Sequence, residues 1–72
     1  MRVRNIDDMT DEDMEFTKDC MRRFTLAKKL GVNPRESVTT AEYDRLYDLW
    51  DGRFEEYKVL WAQVYEEMGY EQ

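Results

Sequence analysis

The sequence predicts an all-α protein, built as an antiparallel hairpin of two helices at residues 11–30 and 40–68. Capping signals at Thr10 and Thr39 mark the two predicted helix starts. One linker, residues 31–39, separates the helices and holds the single proline of the chain. At 72 residues the chain is short enough for one small domain, residues 1–72, with residues 1–9 as an N-terminal arm.

The first predicted helix has matching signals at both ends. The hydroxyl of Thr10 can cap the backbone N–H of Asp13, and acidic residues fill the first turn, where the helix dipole favours negative charge. Lys28 and Lys29 fall in the last turn, and Gly31 follows as the residue that leaves the helix in the left-handed region. The predicted apolar face holds Met14, Phe16, Cys20, Met21, Phe24, Ala27 and Leu30, with Thr25 on the opposite side.

The second predicted helix begins with Thr39 as its cap and Glu42 at the third helical position, which is a capping box. Its apolar residues form a seam with the alternating spacing of a heptad repeat: Tyr43, Tyr47, Trp50, Phe54, Tyr57, Trp61, Val64 and Met68, broadened by Tyr65. Asp51 followed by Gly52 is typical of a turn. Because the seam passes them in phase, we favour one helix; a three-helix bundle with a break at these two residues is the alternative.

The lengths of the two helices predict a dimer. At 1.5 Å per residue the first helix spans about 30 Å and the second about 43 Å. The overhanging end, with Trp61, Val64, Tyr65 and Met68, then needs cover from elsewhere. We therefore expect the seam to serve as core or as a self-association surface, with two copies forming a four-helix bundle.

The composition argues against catalysis and against a metal or cofactor site. The chain has no histidine and one cysteine, so the common general base and the usual zinc ligands are missing. The glycines are scattered singly, and the acidic residues lack the spacing of a calcium loop. No apolar segment approaches the roughly 20 residues that cross a membrane. With Cys20 as a lone thiol, we expect a cytoplasmic protein.

The charge pattern predicts the binding surface. Seventeen acidic and 11 basic residues give a net charge of −6. Along the outside of the second predicted helix the carboxylates recur at positions i, i+4, i+7 and i+11, which are Asp44, Asp48, Asp51 and Glu55. Like charges at this spacing destabilise a helix, so we interpret the row as a contact for a basic surface; a merely solvated face is the alternative.

These observations predict a non-enzymatic protein that binds another protein, as an adaptor or inhibitor, through the acidic row and the aromatic seam. One alternative is a nucleic-acid mimic of the phage anti-defence type, which would inhibit a DNA- or RNA-handling enzyme. Another is a structural accessory subunit of a larger assembly. Direct nucleic-acid binding is not expected: Lys18, Arg22 and Lys29 form a basic stripe, but the negative net charge repels a polyanion.

Overall fold

The protein is an all-α bundle of three helices, as a computed structural model shows. The model describes the backbone of residues 6–70 and, in that range, every side chain except those of Ile6 and Glu55. The α-helices are α1 (Asp11–Leu30), α2 (Thr40–Trp50) and α3 (Lys58–Met68), with 3₁₀ turns at Ile6–Asp8, Pro34–Ser37 and Phe54–Glu56. The predicted fold class is confirmed. Most of the predicted N-terminal arm, residues 1–5, lies outside the described residues.

Helix α1 has the bounds that its capping signals predict. The Thr10 hydroxyl accepts a hydrogen bond from the Asp13 N–H at 3.1 Å. At the other end Gly31 is left-handed, with φ 76°, and its N–H donates to carbonyls of the last turn. Local side-chain chemistry therefore fixes both ends of this helix.

The linker and the start of α2 are also set by local hydrogen bonds. The Asn33 side chain accepts a hydrogen bond from the Arg35 N–H at 3.1 Å and so caps the 3₁₀ turn Pro34–Ser37. Thr39 and Glu42 then form the predicted capping box: the Thr39 N–H donates to Glu42 Oε1 at 3.0 Å, and the Glu42 N–H donates to Thr39 Oγ1 at 3.1 Å.

The prediction of one continuous helix over residues 40–68 is wrong, and the three-helix alternative is the arrangement found. Helix α2 ends at Trp50. Asp51 and Gly52 both lie in the left-handed region, with φ 53° and 74°. The Gly52 N–H donates to the Tyr47 carbonyl at 3.1 Å, which closes the end of the helix. Two successive left-handed residues redirect the chain, and glycine adopts this conformation without the steric cost that a Cβ brings.

The seam keeps its phase for a reason other than helical continuity. Residues 51–57 separate α2 from α3. Seven residues equal one heptad. In the sequence, the apolar positions of α3 therefore keep the spacing that one unbroken helix would show. The break lets α3 pack on α1 and bury Leu60 and Val64 within the same chain, both at 0% exposure. The long overhang that predicts a dimer is therefore absent.

The core lies between α1 and the inward faces of α2 and α3. It is built from large side chains, with Trp50, Met21, Leu46, Leu60 and Val64 almost wholly buried. Two positions on α1 differ from the predicted face. Thr25 is buried, and its hydroxyl donates to the Met21 carbonyl at 2.9 Å, which satisfies the polar group. Leu30, in the last turn, is 70% exposed.

Candidate protein-interaction surfaces

The aromatic seam is divided between core and surface. Trp50, Phe54, Trp61 and Val64 are buried by the rest of the single chain. Tyr57, Tyr65 and Met68 are half-buried, whereas Tyr47 is 59% exposed. The covered part of the seam therefore stabilises the fold, and the tyrosines are the part that a partner can reach.

The acidic row does not follow one helix axis. Asp44 and Asp48 are exposed on the outward side of α2, and Asp51 is exposed just beyond the end of the helix. Glu55 belongs to the 3₁₀ turn Phe54–Glu56, and its side chain is outside the described part of the structure. The expected line of four is thus replaced by three exposed carboxylates, two on α2 and one just beyond its C-terminal end. We name Asp44, Asp48 and Asp51 the acidic face.

Two residues of the acidic face, Asp48 and Asp51, lie where the helix dipole disfavours carboxylates. The C-terminal end of a helix carries a partial negative charge, and an acidic side chain there is repelled. The last turn of α2 contains no basic residue. The helix dipole therefore gives no reason for placing carboxylates at Asp48 and Asp51.

The basic stripe on α1 is occupied largely by contacts within the chain. The Arg22 guanidinium donates to both carboxylate oxygens of Glu67, at 3.0 and 3.3 Å, and lies 3.5 Å from Glu15. Lys29 Nζ lies 5.1 Å from the centre of the Tyr70 ring. Lys18, the third residue of the stripe, is half-buried. The stripe therefore presents less open positive charge than the sequence indicates.

A groove of about 880 Å³ opens between α1, the linker turn, α2 and the start of α3. Its basic side chains are Lys28, Arg35 and Lys58, and no Asp or Glu lines it among the side chains that the structure describes. In a chain of net charge −6 this groove is a local region of positive charge. The remaining lining residues are mainly aromatic or apolar: Phe24, Asn33, Pro34, Tyr43, Leu46, Tyr47, Gly52, Phe54, Trp61 and Tyr65. We name it the basic groove.

Aromatic rings form a connected wall of the basic groove. The ring centres of Phe54 and Trp61 are 5.5 Å apart, those of Phe24 and Phe54 are 5.6 Å apart, and those of Trp61 and Tyr65 are 5.8 Å apart. These are ordinary separations for tilted aromatic pairs, which favour one another beyond their buried area. Lys28 Nζ lies 5.8 Å from the centre of the Trp61 ring, within the range of a cation–π contact.

The two tryptophans have different polar environments. The Trp50 indole N–H donates to Thr17 Oγ1 at 3.0 Å, deep in the core. The Trp61 indole N–H is buried and, within residues 6–70, has no hydrogen-bond acceptor. Such a donor costs about 1–3 kcal/mol relative to a satisfied one. Trp61, which lines the basic groove, therefore has an indole N–H without a hydrogen-bond acceptor in the described part of the chain.

Arg23 joins α1 to the first turn of α2. Its guanidinium donates to the two carboxylate oxygens of Glu42 at 2.9 and 2.7 Å, and also to Asp19 Oδ2 at 2.6 Å. The hydrogen bonds from Arg23 to Glu42 lower the pKa of Glu42 from 4.5 to about 2, and the Thr39 N–H adds a further hydrogen bond to the same carboxylate. Glu42 thus completes a capping box and a contact between two helices.

The lowered pKa of Glu42 predicts a pH dependence of stability. We expect the free energy of unfolding to decrease as the pH falls from about 4.5 to about 2, because the unfolded glutamate takes up a proton that the folded one resists. Above this window the contribution is fully present. Urea unfolding of Glu42→Gln should show a weaker pH dependence there than the parent chain. Glu12→Gln, an exposed control, should retain the parent dependence; equal slopes for the parent chain and Glu42→Gln would contradict the assignment.

The remaining side-chain chemistry is sparse. Cys20 is fully buried, and burial raises the pKa of its thiol to about 11, so the nucleophilic thiolate is disfavoured. No group of three or more metal-ligating side chains occurs among the residues that the structure places. None of the helices in residues 6–70 has the length and hydropathy that a membrane span requires.

The sequence did not reveal the basic groove. Lys28 comes from the last turn of α1, Arg35 from the linker turn and Lys58 from the start of α3. No spacing rule connects residues that far apart in the chain. Only the run of residues 20–35, which holds five basic residues and no acidic one, hints at a local positive region.

Comparisons with known proteins give no relative. The chain matches no protein-family model, no curated protein and no solved structure.

Proposed function

We propose that this chain is a non-enzymatic binding protein, an adaptor or inhibitor, that docks on a basic surface of a partner protein through the acidic face. The observation that carries the proposal is the position of Asp44, Asp48 and Asp51: all three are exposed, and Asp48 and Asp51 lie at the C-terminal end of α2, where the helix dipole disfavours a carboxylate. Charge complementarity of this kind accelerates association and selects the partner, and salt weakens it.

The proposal needs one copy of the chain. The overhanging helix end from which a homodimer is predicted is absent, because α3 packs within the chain; the homodimer itself stays a prediction. Tyr47, which neighbours the acidic face and is 59% exposed, supplies apolar area for the same contact. Tyrosine is common at the centres of protein interfaces, since it combines a large apolar ring with a polar tip. A reducing compartment such as the cytoplasm suits the lone thiol of Cys20.

The test compares three immobilised chains as baits for a native extract. These are the parent, the triple variant Asp44→Asn, Asp48→Asn, Asp51→Asn, and the control Glu12→Gln, Glu66→Gln, which removes exposed charge from α1 and α3. Asparagine tolerates the left-handed backbone at position 51, so the triple variant should keep its fold. We expect the parent and the control to retain the same partner at low salt, the triple variant to lose it, and high salt to release it.

Two results would contradict the proposal. If the triple variant retains the partner as well as the parent does, the acidic face is not the contact. If the control loses the partner to the same extent, net charge alone explains the binding. Competition by duplex DNA addresses the nucleic-acid mimic: displacement of the partner by DNA would favour this alternative over a general adaptor.

A second function, the accessory subunit of a larger assembly, rests on a separate patch. Leu26, Leu30 and Val32 at the end of α1 are 50%, 70% and 53% exposed. Clustered apolar side chains of this size are typical of contact surfaces. For this function, Leu26→Ser with Leu30→Ser should release the partner, whereas the triple variant of the acidic face and high salt should leave it bound.

A further inference from the structure

We propose that the basic groove binds a short acidic segment of a partner protein, one that carries aromatic or apolar side chains between its carboxylates. The inference rests on the proposed function in one respect, namely that the occupant belongs to a protein. The groove and the acidic face have opposite charge, so the groove would be a second and chemically distinct contact. Its key residues are Lys28, Arg35, Lys58 and Trp61.

The charge of the groove selects an anion. Its three cations come from three separate elements, and no described carboxylate lies among its lining side chains. Lys58 is the first residue of α3, where the helix dipole already favours an anion and disfavours a lysine. The first turn of α3 has no acidic residue, and Tyr57 makes no side-chain cap. Within the described chain, the positive end of α3 is therefore not neutralised by its own first turn.

The walls of the groove select apolar or aromatic groups beside the charge. Phe54, Trp61 and Tyr65 form the connected rings described above, and Tyr43 and Tyr47 close the side formed by α2. The volume of about 880 Å³ falls within the range of sites that hold a drug-sized molecule or a few side chains. A ligand with carboxylates alone would leave the exposed parts of Tyr43, Tyr47 and Tyr65 in water.

The surroundings of the groove argue for a short segment and against a nucleic acid. The acidic face lies on α2, the helix that also contributes Tyr43 and Tyr47 to the groove. A phosphate backbone that crossed the groove would continue into repulsion from Asp44 and Asp48, which act over about 8 Å at physiological salt. A short peptide carries only a few carboxylates, so it meets less of this repulsion than a phosphate backbone does.

The two indole N–H groups report on different places in the fold. That of Trp61 is buried and has no acceptor within the described residues, and Trp61 itself lines the groove. Trp50 already has its acceptor in Thr17 and does not line the groove, so the two indoles should respond differently.

The test is a titration of the ¹⁵N-labelled full chain with a synthetic peptide, followed through the two indole N–H signals. The probe alternates glutamate and phenylalanine over about seven residues, which extend to about 23 Å. We expect the Trp61 signal to shift with saturation while the Trp50 signal stays in place. The same peptide with glutamine for glutamate should bind at least about tenfold more weakly.

Neighbouring lysines provide the matched variants. Lys28→Glu should weaken the peptide at least about tenfold, whereas Lys29→Glu, the same charge change outside the groove lining, should have little effect. Lys58→Gln removes a groove cation that comes from α3, and it should weaken peptide binding independently of Lys28. The Trp50 signal reports the folded state of each variant, so Lys58→Gln decides the matter if Lys28→Glu does not fold.

Three outcomes would overturn the inference. The Trp61 signal could stay unchanged, Lys28→Glu and Lys29→Glu could weaken the peptide equally, or an oligothymidylate could bind in the groove more tightly than the peptide. The acidic-face triple variant separates this inference from the proposed function. If this variant binds the peptide normally and the extract experiment contradicts the acidic face, only the groove proposal is supported. If the extract experiment supports the acidic face and the parent chain does not bind the peptide, only the proposed function is supported.

Discussion

Replacing Trp50 by alanine is expected to remove a large part of the free energy of unfolding of the protein. Trp50 is fully buried, its ring centre lies 3.8 Å from that of Tyr57, and its indole N–H is bonded to Thr17 Oγ1. Truncating a buried tryptophan to alanine costs about 3–5 kcal/mol, because apolar area is lost and a cavity remains. A domain of 72 residues has a total stability of about 4–11 kcal/mol, so the change removes a large part of it.

Urea unfolding followed by far-ultraviolet circular dichroism measures this effect. Tyr47→Ala is the matched control, because it truncates an aromatic residue of the same helix that is 59% exposed. We expect that control to change stability by about 0.5 kcal/mol or less. A Trp50→Ala chain as stable as the control would mean that α2 does not pack as described.

Gly52→Ala is expected to destabilise the protein by about 1–2 kcal/mol, the cost of a left-handed backbone for a residue with a Cβ. Gly52 has φ 74°, and a Cβ built on it would lie 3.0 Å from Cε2 of Tyr47. The sign of the change distinguishes two folds. In a continuous helix over residues 40–68 the same substitution would stabilise the protein by about 1 kcal/mol, because alanine is the better helix former.

Asp51→Gly provides the reciprocal control for the break. Asp51 is left-handed, with φ 53°, so glycine should be neutral or stabilising at this position. In a continuous helix glycine would cost about 1 kcal/mol instead. The change in urea midpoint relative to the parent chain therefore differs in direction between the two folds for each variant. A higher midpoint for Gly52→Ala together with a lower midpoint for Asp51→Gly would refute the break.

Local chemistry made the helix ends predictable. Thr10, Gly31, Thr39 and Glu42 act on backbone groups within a few residues of themselves, so their roles can be identified without knowledge of the tertiary structure. The conformation of residues 51–57 could not be predicted from local chemistry in this way. A seven-residue connection leaves the heptad pattern intact, and the choice between a rod and a turn depends on what buries Trp61.

The candidate sites also differ in whether local sequence or tertiary packing determines them. The acidic face was predictable in part, because Asp44 and Asp48 lie one turn apart on a single helix. The fourth member, Glu55, was placed on that helix only by the assumption of continuity. The basic groove depends on Lys28, Arg35 and Lys58 meeting across three elements. Such a site follows from the packing of α3, and the sequence pattern carries no direct signal of it.

The length of the connection between α2 and α3 has a consequence for exchange between molecules. Since residues 51–57 span one heptad, straightening them would leave the apolar stripes of both helices on the same side of a single rod. The freed α3 of one molecule could then occupy the place of α3 on another, with every core contact reproduced across the pair. A domain-swapped dimer therefore needs no new core, and the left-handed hinge at Asp51 and Gly52 is what holds each molecule closed.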